Sequence, residues 1–147
     1  MEMAKHIEDA MSQGIIPDAA TRWARYRIGY HFVWIPKYRR RILTPEVCAT
    51  VKTSIGSACA VADMTLLALE TDMDHVHAFV SAKPSVSPAD AVRILKGASS
   101  RAVRKQHPDI VASCGERGLW AQSYYVGTTG DMSAETVRHY IEHCQGL

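Results

Sequence analysis

Two helix-start signals constrain the fold of this chain more than any other feature. Thr44-Pro45 and Ser87-Pro88 each place a hydroxyl side chain at the N-cap and a proline at the first helical position. After the first signal, apolar residues recur at helical spacing on one face: Val47, Val51, Ile55, Ala58 and Ala62. The second helix is expected to run to about Gln106, with Pro108 beyond its end. Two helices with defined starting points therefore divide the chain.

The segments around these helices carry strand patterns. Apolar and aromatic residues alternate at Tyr26, Ile28, Tyr30, Phe32 and Trp34, which is typical of a strand with one buried face, and Ile35-Pro36 ends it. Residues 64–70 and 75–81 flank a polar turn and predict an antiparallel hairpin. Residues 119–128 are β-rich and predict a fourth strand. Ser133 caps a last predicted helix that runs to about Gln145.

The resulting order is β-α-β-β-α-β-α, which is typical of a ferredoxin-like or RRM-like α+β fold. We therefore expect a four-stranded antiparallel sheet with helices packed on it. The length of 147 residues fits a single domain at 21–147, preceded by an N-terminal extension at 1–20. No apolar run approaches the roughly 20 residues that span a bilayer, and residues 1–13 do not resemble a secretion signal. We expect a cytoplasmic protein without a membrane partner.

The positive charge is concentrated in two windows that contain no acidic residue. Seven Lys and Arg lie within residues 22–41 and five more within residues 93–105, out of 17 in the chain. Either window alone could be a solvated surface. Two such windows in one small domain favour a polyanionic partner, because clustered cations gain binding free energy by releasing the counterions condensed on phosphates.

A histidine pair is the clearest candidate site. His75 and His77 are two residues apart on a predicted strand, so their side chains leave the same face. Two imidazoles about 6–7 Å apart along a strand can converge on one cation. The alternative is a pair of ordinary surface or core histidines. Apolar neighbours at 76 and 78–80 favour the metal site, and Asp74 is placed to accept a hydrogen bond from an imidazole N–H.

Five short motifs occur in order between residues 26 and 145. They are YHFVWIPKYRRR at 30–41, MDHVH at 73–77, LKGASSR at 95–101, LW at 119–120 with SY at 123–124, and YIE at 140–142. Together they resemble the motifs of the single-tyrosine HUH transposases of small insertion sequences, named for histidine–hydrophobic–histidine. The resemblance implies an HUH-type nuclease core over nearly the whole chain.

The resemblance also implies an enzyme that cleaves and rejoins single-stranded DNA. A divalent cation, Mg²⁺ or Mn²⁺, would be held by His75, His77 and a third ligand from the last helix. The hydroxyl of Tyr140 would attack phosphorus, giving a 5′-phosphotyrosine link and a free 3′-hydroxyl. Such transposases recognise DNA hairpins at the ends of the element and act as homodimers, without an organic cofactor. Tyr124 and Tyr125 are interpreted instead as packing residues of the fourth strand.

The third metal ligand departs from the family pattern. The family typically has a glutamine four residues after the tyrosine, but this chain has Cys144 there. Gln145 has the expected chemistry, yet the fifth position lies about 140° around a helix from Tyr140. His143 is better placed, and a cysteine ligand would favour a softer metal such as zinc. Gln145 is the first candidate and His143 the alternative.

The basic windows would then contact the DNA backbone through seven residues: Lys37, Arg39, Arg40, Arg41, Lys96, Arg101 and Arg104. Tyr38 and Trp120 are candidates either for stacking on unpaired bases or for packing within the protein. Two other functions stay open. The displaced glutamine is compatible with a domesticated relative that binds hairpin DNA with little or no cleavage. An RNA-binding domain of the same topology would carry aromatic residues where the third strand has histidines.

Overall fold

The computed structural model describes residues 16–113 and 118–128. The predicted last helix lies outside these two segments, together with its candidate site residues: Tyr140, His143, Cys144 and Gln145. Within the described segments, no helix is both long and apolar enough to cross a bilayer.

One four-stranded antiparallel sheet organises the molecule, with β4-β5-β3-β6 as its strand order. Its strands are β3 (Tyr30–Trp34), β4 (Thr65–Asp72), β5 (His75–Ser81) and β6 (Tyr125–Thr128), and the helices are α1 (Pro45–Val61), α2 (Pro88–Gln106) and α3 (Pro108–Ala112). A small separate hairpin precedes them, formed by β1 (Ala19–Ala20) and β2 (Arg25–Tyr26). In chain order the main elements read β-α-β-β-α-β, which confirms the predicted ferredoxin-like architecture.

Both predicted helix starts are confirmed. The Thr44 hydroxyl accepts a hydrogen bond from the Val47 backbone N–H at 3.4 Å, and the Ser87 hydroxyl accepts one from Asp90 N–H at 3.0 Å. Proline occupies the beginning of each helix, where its missing N–H costs no helical hydrogen bond. The predicted end of α2 at Gln106 is also observed.

Two expectations from the pattern were wrong in extent. The first strand does not run from residue 25 to 34: Arg25–Tyr26 pairs back with Ala19–Ala20, and only Tyr30–Trp34 joins the main sheet. The fourth strand begins at Tyr125: before it, Trp120 forms only an isolated antiparallel bridge with Pro36, and Lys96 of α2 binds the carbonyl oxygens of Ala121 and Gln122. Pro108 lies beyond the end of α2, as expected, and it begins the short helix α3.

The helices cover one face of the sheet, which we call the helix face. Its core combines Phe32 and Trp34 of β3 with Val76, Ala78 and Val80 of β5. Against them pack α1 and α2 through their apolar faces: Val47, Val51, Ile55 and Cys59 from α1, and Ala91, Val92, Leu95 and Val103 from α2. This arrangement fixes β3 and β5 at the centre of the sheet, with their alternate side chains directed to the opposite face.

Candidate active site on the histidine face of the sheet

The opposite face of the sheet, which we call the histidine face, carries His31 and Val33 of β3 and His75, His77 and Phe79 of β5. Strand register brings these residues together, because Val33 pairs with His77 and His31 pairs with Phe79. All five are buried. His75 and His77 share this face as predicted, with ring centroids 5.0 Å apart.

His75 is oriented by a carboxylate. Its Nδ1 lies 2.7 Å from Asp74 Oδ1, so this nitrogen donates to the carboxylate and leaves the Nε2 lone pair free to bind a ligand. The predicted contact between Asp74 and an imidazole is therefore present. Asp74 also accepts a hydrogen bond from Arg39 Nε at 3.1 Å. Burial tends to raise the pKa of Asp74, but His75 and Arg39 outweigh it and hold that pKa below its usual value.

His77 lies deeper in the same face and is stacked against a third histidine. Its Nδ1 is 3.1 Å from His31 Nε2, and the two rings are nearly parallel at a centroid distance of 5.3 Å. Burial, reinforced by His31 and His75, lowers the pKa of His77 to about 2, and burial alone lowers that of His31 to about 4. Both rings are therefore neutral at neutral pH, which is the form that binds metals.

The pattern of alternating residues did not identify His31. It belongs to the odd-numbered positions of β3, which alternate with the apolar positions that predicted the strand. Tyr125 of β6 makes an edge-on contact with His31 at 6.0 Å between ring centroids. Gly127 permits this placement, because a Cβ there would lie 2.7 Å from the Tyr125 hydroxyl. The sequence did contain one signal for His31, namely a histidine at one of the alternating positions of a strand that is otherwise mostly apolar.

The histidine pair fits a divalent cation. His77 Nε2 is fully buried and has no hydrogen-bond partner among the described residues, which is costly unless a ligand engages it. Together with Nε2 of the His75 ring, it offers two nitrogen donors on one face. Within residues 16–113 and 118–128, no three His, Cys, Asp or Glu side chains form a group that could hold a metal. A third ligand would have to come from elsewhere, such as the candidates on the predicted last helix.

The basic segment at residues 37–41 borders this site. Arg39 is bound to Asp74, and the Arg40 guanidinium donates to the Ser113 carbonyl oxygen. Tyr38 is 73% exposed, with the cations of Lys37 and Arg40 lying 5.4 and 5.7 Å from its ring centroid. Its backbone has a positive φ of 61°, which holds the ring at the surface of a tight turn. Tyr38 is therefore accessible for stacking on a base.

The predicted DNA-contacting residues of α2 are in different environments. Lys96 is half-buried and donates to the carbonyl oxygens of Ala121 and Gln122 at 2.7 and 3.3 Å, and burial lowers its pKa. Its ammonium group therefore fixes the segment before β6 to α2. Arg101 and Arg104 are exposed on the helix.

Trp120 packs within the protein. Only 8% of the residue is exposed, its ring meets Trp34 edge-on at 6.0 Å, and its Nε1 donates to the Ser99 hydroxyl at 3.0 Å. Of the two roles considered for it, packing is the one that the structure supports. Tyr124 likewise packs against the helix-face core, next to Phe32.

Comparison with known proteins gives a family model and relatives that span most of this chain. Residues 24–144 match the family model described as "Transposase IS200 like". The ISDra2 transposase TnpA of Deinococcus radiodurans is 32% identical over 117 residues, covering 80% of this chain and 84% of that protein. The transposase for insertion sequence element IS200 of Salmonella typhimurium is 32% identical over 125 residues, covering 85% and 80%.

Solved structures show the same fold. A crystal structure from Deinococcus radiodurans R1, of a protein described as a transposase, has a TM-score of 0.72 and 32% identity, covering 85% of this chain and 96% of that one. A REP-associated tyrosine transposase bound to a REP hairpin has a TM-score of 0.52 and 13% identity, covering 85% and 70%. Since the family model and relatives at 32% identity each span most of its length, this chain belongs to the IS200-like transposase family.

Proposed function

We propose that this protein is a metal-dependent transposase that cleaves and rejoins single-stranded DNA through a 5′-phosphotyrosine intermediate. The observation that carries the proposal is the pairing of His75 and His77 on one buried face, with His77 Nε2 lacking a partner among the described residues. Two imidazoles held this way can bind a divalent cation, and the family resemblance points to Mg²⁺ or Mn²⁺, whose preference for oxygen would be met by the remaining ligands. Family membership supplies the class of reaction.

In the proposed reaction, the phenol oxygen of Tyr140 forms a bond to the scissile phosphorus and the DNA 3′-oxygen leaves. The phenol loses its proton, the 3′-oxygen gains one, and the phosphodiester becomes a phosphotyrosine ester. When bound, the cation would polarise the phosphate and stabilise the charge that develops on the leaving oxygen. Because the phosphotyrosine ester conserves the bond, a second 3′-hydroxyl can reverse the step and join strands.

The residues of the chain have distinct tasks in this scheme. Asp74 orients His75 through Nδ1, and Arg39 in turn neutralises Asp74. Burial keeps His77 neutral, which preserves its lone pair for the cation. The remaining ligand is proposed to be Gln145, with His143 as the alternative.

The proposed substrate is single-stranded DNA carrying hairpins, handled by a homodimer in the cytoplasm. The REP-associated transposase that shares this fold was solved with a hairpin bound. In this chain, Arg41, Arg101 and Arg104 are exposed cations that could contact phosphates, and Tyr38 offers an exposed ring beside Lys37. Arg39, Arg40 and Lys96 already have partners in the protein, so we expect their contribution to DNA affinity to be smaller.

A denaturing gel tests the nucleophile directly. The full chain is incubated with a labelled hairpin oligonucleotide and Mg²⁺, and covalent protein–DNA adduct is measured. We expect Tyr140→Phe to abolish the adduct while hairpin binding persists, and Tyr124→Phe, a matched change on the helix face, to leave it intact. An unchanged adduct in Tyr140→Phe would remove Tyr140 from the reaction. Hairpin binding by wild type without any adduct would favour the domesticated relative.

The third ligand is tested by single substitutions in the same gel. We expect Gln145→Ala to reduce the adduct strongly and His143→Ala to have little effect. The reverse result would assign the ligand to His143. Comparable loss in Cys144→Ala with zinc-supported activity would assign it to the cysteine, in line with the preference of thiolates for softer metals.

A further inference from the structure

The two histidines of the proposed metal pair are held in the same way but by different partners. Asp74 contacts Nδ1 of His75 at 2.7 Å, and His31 contacts Nδ1 of His77 through its Nε2 at 3.1 Å. In both His75 and His77, Nε2 is the ring nitrogen that takes no part in these contacts. Metal-binding histidines usually donate their other ring N–H to an acceptor that fixes the tautomer and the ring orientation. Asp74 has this position for His75, and His31 has the equivalent position for His77.

We propose that His31 is the positioning residue for His77, accepting its Nδ1–H so that the His77 Nε2 lone pair faces the cation. This inference rests on the proposed function and adds to it a residue from a different strand. The contact between the two rings has only two possible directions. If His77 Nδ1 donates, His77 Nε2 is unprotonated and can bind a cation. If His31 Nε2 donates instead, His77 Nε2 carries the proton and cannot bind one.

The surroundings of His31 fix its ring so that Nε2 faces His77 Nδ1. His31 is 1% exposed, and its Nδ1 is also buried without a hydrogen-bond partner among the described residues. Stacking on His77 and the edge-on contact of Tyr125 fix the orientation of its ring. Glycine at position 127, directly opposite His31 in the sheet, allows the Tyr125 side chain to lie there.

His31 does not act as the missing third ligand in this account. Within the described segments, His31, His75 and His77 do not form a group that could hold a metal. Its contact is instead with the ring nitrogen of His77 that points away from the proposed cation. Its effect on the cation is therefore exerted through His77.

The tautomer can be read directly by long-range proton–nitrogen NMR of the ¹⁵N-labelled full chain in excess chelator. We expect His77 to be protonated at Nδ1 and His31 to be unprotonated at Nε2. A His77 ring protonated at Nε2 would overturn the inference, because His31 would then be the donor. This measurement needs no variant and no activity.

Substitutions measure the consequence for metal binding, with Mn²⁺ titrated into each protein by calorimetry. His31→Leu removes the acceptor and should weaken Mn²⁺ binding about 10- to 100-fold. His31→Gln, whose side-chain carbonyl can accept the same hydrogen, should recover most of the affinity. Phe79→Leu, on the same face and paired with His31 in the sheet, is the packing control and should leave the affinity unchanged.

The possible outcomes separate the role of His31 from the metal site itself. Equal affinity in wild type and a folded His31→Leu overturns the role of His31 alone. Equal loss in His31→Leu and Phe79→Leu overturns it as well, since packing would then explain the effect. If His31→Leu does not fold, the Gln variant and the tautomer decide. A wild-type chain that binds no Mn²⁺ removes the proposed metal site itself, whatever tautomer His77 adopts.

Discussion

Val76 and His77 are neighbours on β5 and both are fully buried, yet they point to opposite faces of the sheet. On the helix face, Val76 joins a continuous apolar core under α1 and α2. On the histidine face, His77 meets two other imidazoles and retains a buried nitrogen without a partner among the described residues. The two side chains are equally buried, but one is apolar and the other carries ring nitrogens that can bind a ligand.

The difference separates stability from reactivity within one sheet. Each large apolar side chain on the helix face contributes about 1.5–3 kcal/mol by leaving water. Polar rings on the histidine face lose hydration and recover little of it through hydrogen bonds within the protein. Such a face is retained when its polar atoms have another role, and neutral imidazoles shielded from water suit the binding of a cation.

The largest effect is expected from removing an imidazole. His77→Ala should reduce strand cleavage by about 1,000-fold or more, because a bound cation contributes several kcal/mol to stabilising the reacting phosphate. Cleavage is measured on a labelled hairpin oligonucleotide, and folding by circular dichroism. Cleavage at the wild-type rate by a folded His77→Ala protein would show that the histidine face is not the reactive one.

A substitution on the helix face is expected to reduce stability and leave cleavage largely unchanged. Leu95 of α2 is fully buried in the apolar core, and Leu95→Ala should lower the free energy of unfolding by about 2–5 kcal/mol. Cleavage per folded molecule at low temperature should change little. Urea denaturation and the cleavage assay together check this separation. It would fail if Leu95→Ala abolished cleavage without destabilising the fold.

Acid should destabilise the histidine face specifically. Burial lowers the pKa of His31 from 6.5 to about 4, so the unfolded chain takes up a proton at this residue before the folded chain does. The contribution of His31 to the free energy of unfolding is therefore fully present above pH 6.5. It falls as the pH drops toward 4, by up to about 1.4 kcal/mol per pH unit.

This pH dependence is measured by urea denaturation of the metal-free protein between pH 7 and 4. His31→Phe, which removes the titrating ring but keeps an aromatic side chain, serves as the comparison. The slope of stability against pH should be shallower in the variant by the contribution of one histidine. Identical slopes in the two proteins would show that His31 is not held neutral by burial.

The smallest expected effects concern the helix caps. Ser87→Ala should cost about 1 kcal/mol of stability, because the Ser87 hydroxyl accepts a well-formed hydrogen bond at 3.0 Å. Thr44→Ala should cost less, since the corresponding distance is 3.4 Å. Thermal denaturation of the two variants gives the order. A larger loss in Thr44→Ala would contradict it.

The helices and the central hairpin could be predicted from the sequence because their signals are local. A hydroxyl and a proline fix the start of α2, and alternating residues fix β5. The extent of β6 could not be predicted in this way. Lys96 and Ser99 of α2 bind residues 120–122, and that contact depends on the tertiary structure rather than on the β-propensity of the segment.

The candidate site was only partly predictable for the same reason. His75, His77 and Asp74 are adjacent in sequence, so their shared geometry follows from strand alternation. His31 is 46 residues from His77, and only the pairing of β3 with β5 brings their rings together. The partners of Arg39 and Lys96 are also distant in sequence, which is why both residues were predicted to contact DNA and are found bound within the protein.

Paramagnetic broadening by Mn²⁺ tests the central claim most directly, because it locates the cation without relying on activity. Substoichiometric Mn²⁺ should broaden the ring signals of His75 and His77 first. The ring of His107, which contacts the Thr50 hydroxyl at 2.7 Å, should be unaffected at the same concentration. Equal broadening of His107, or unchanged signals from His75 and His77, would contradict a metal site on the histidine face.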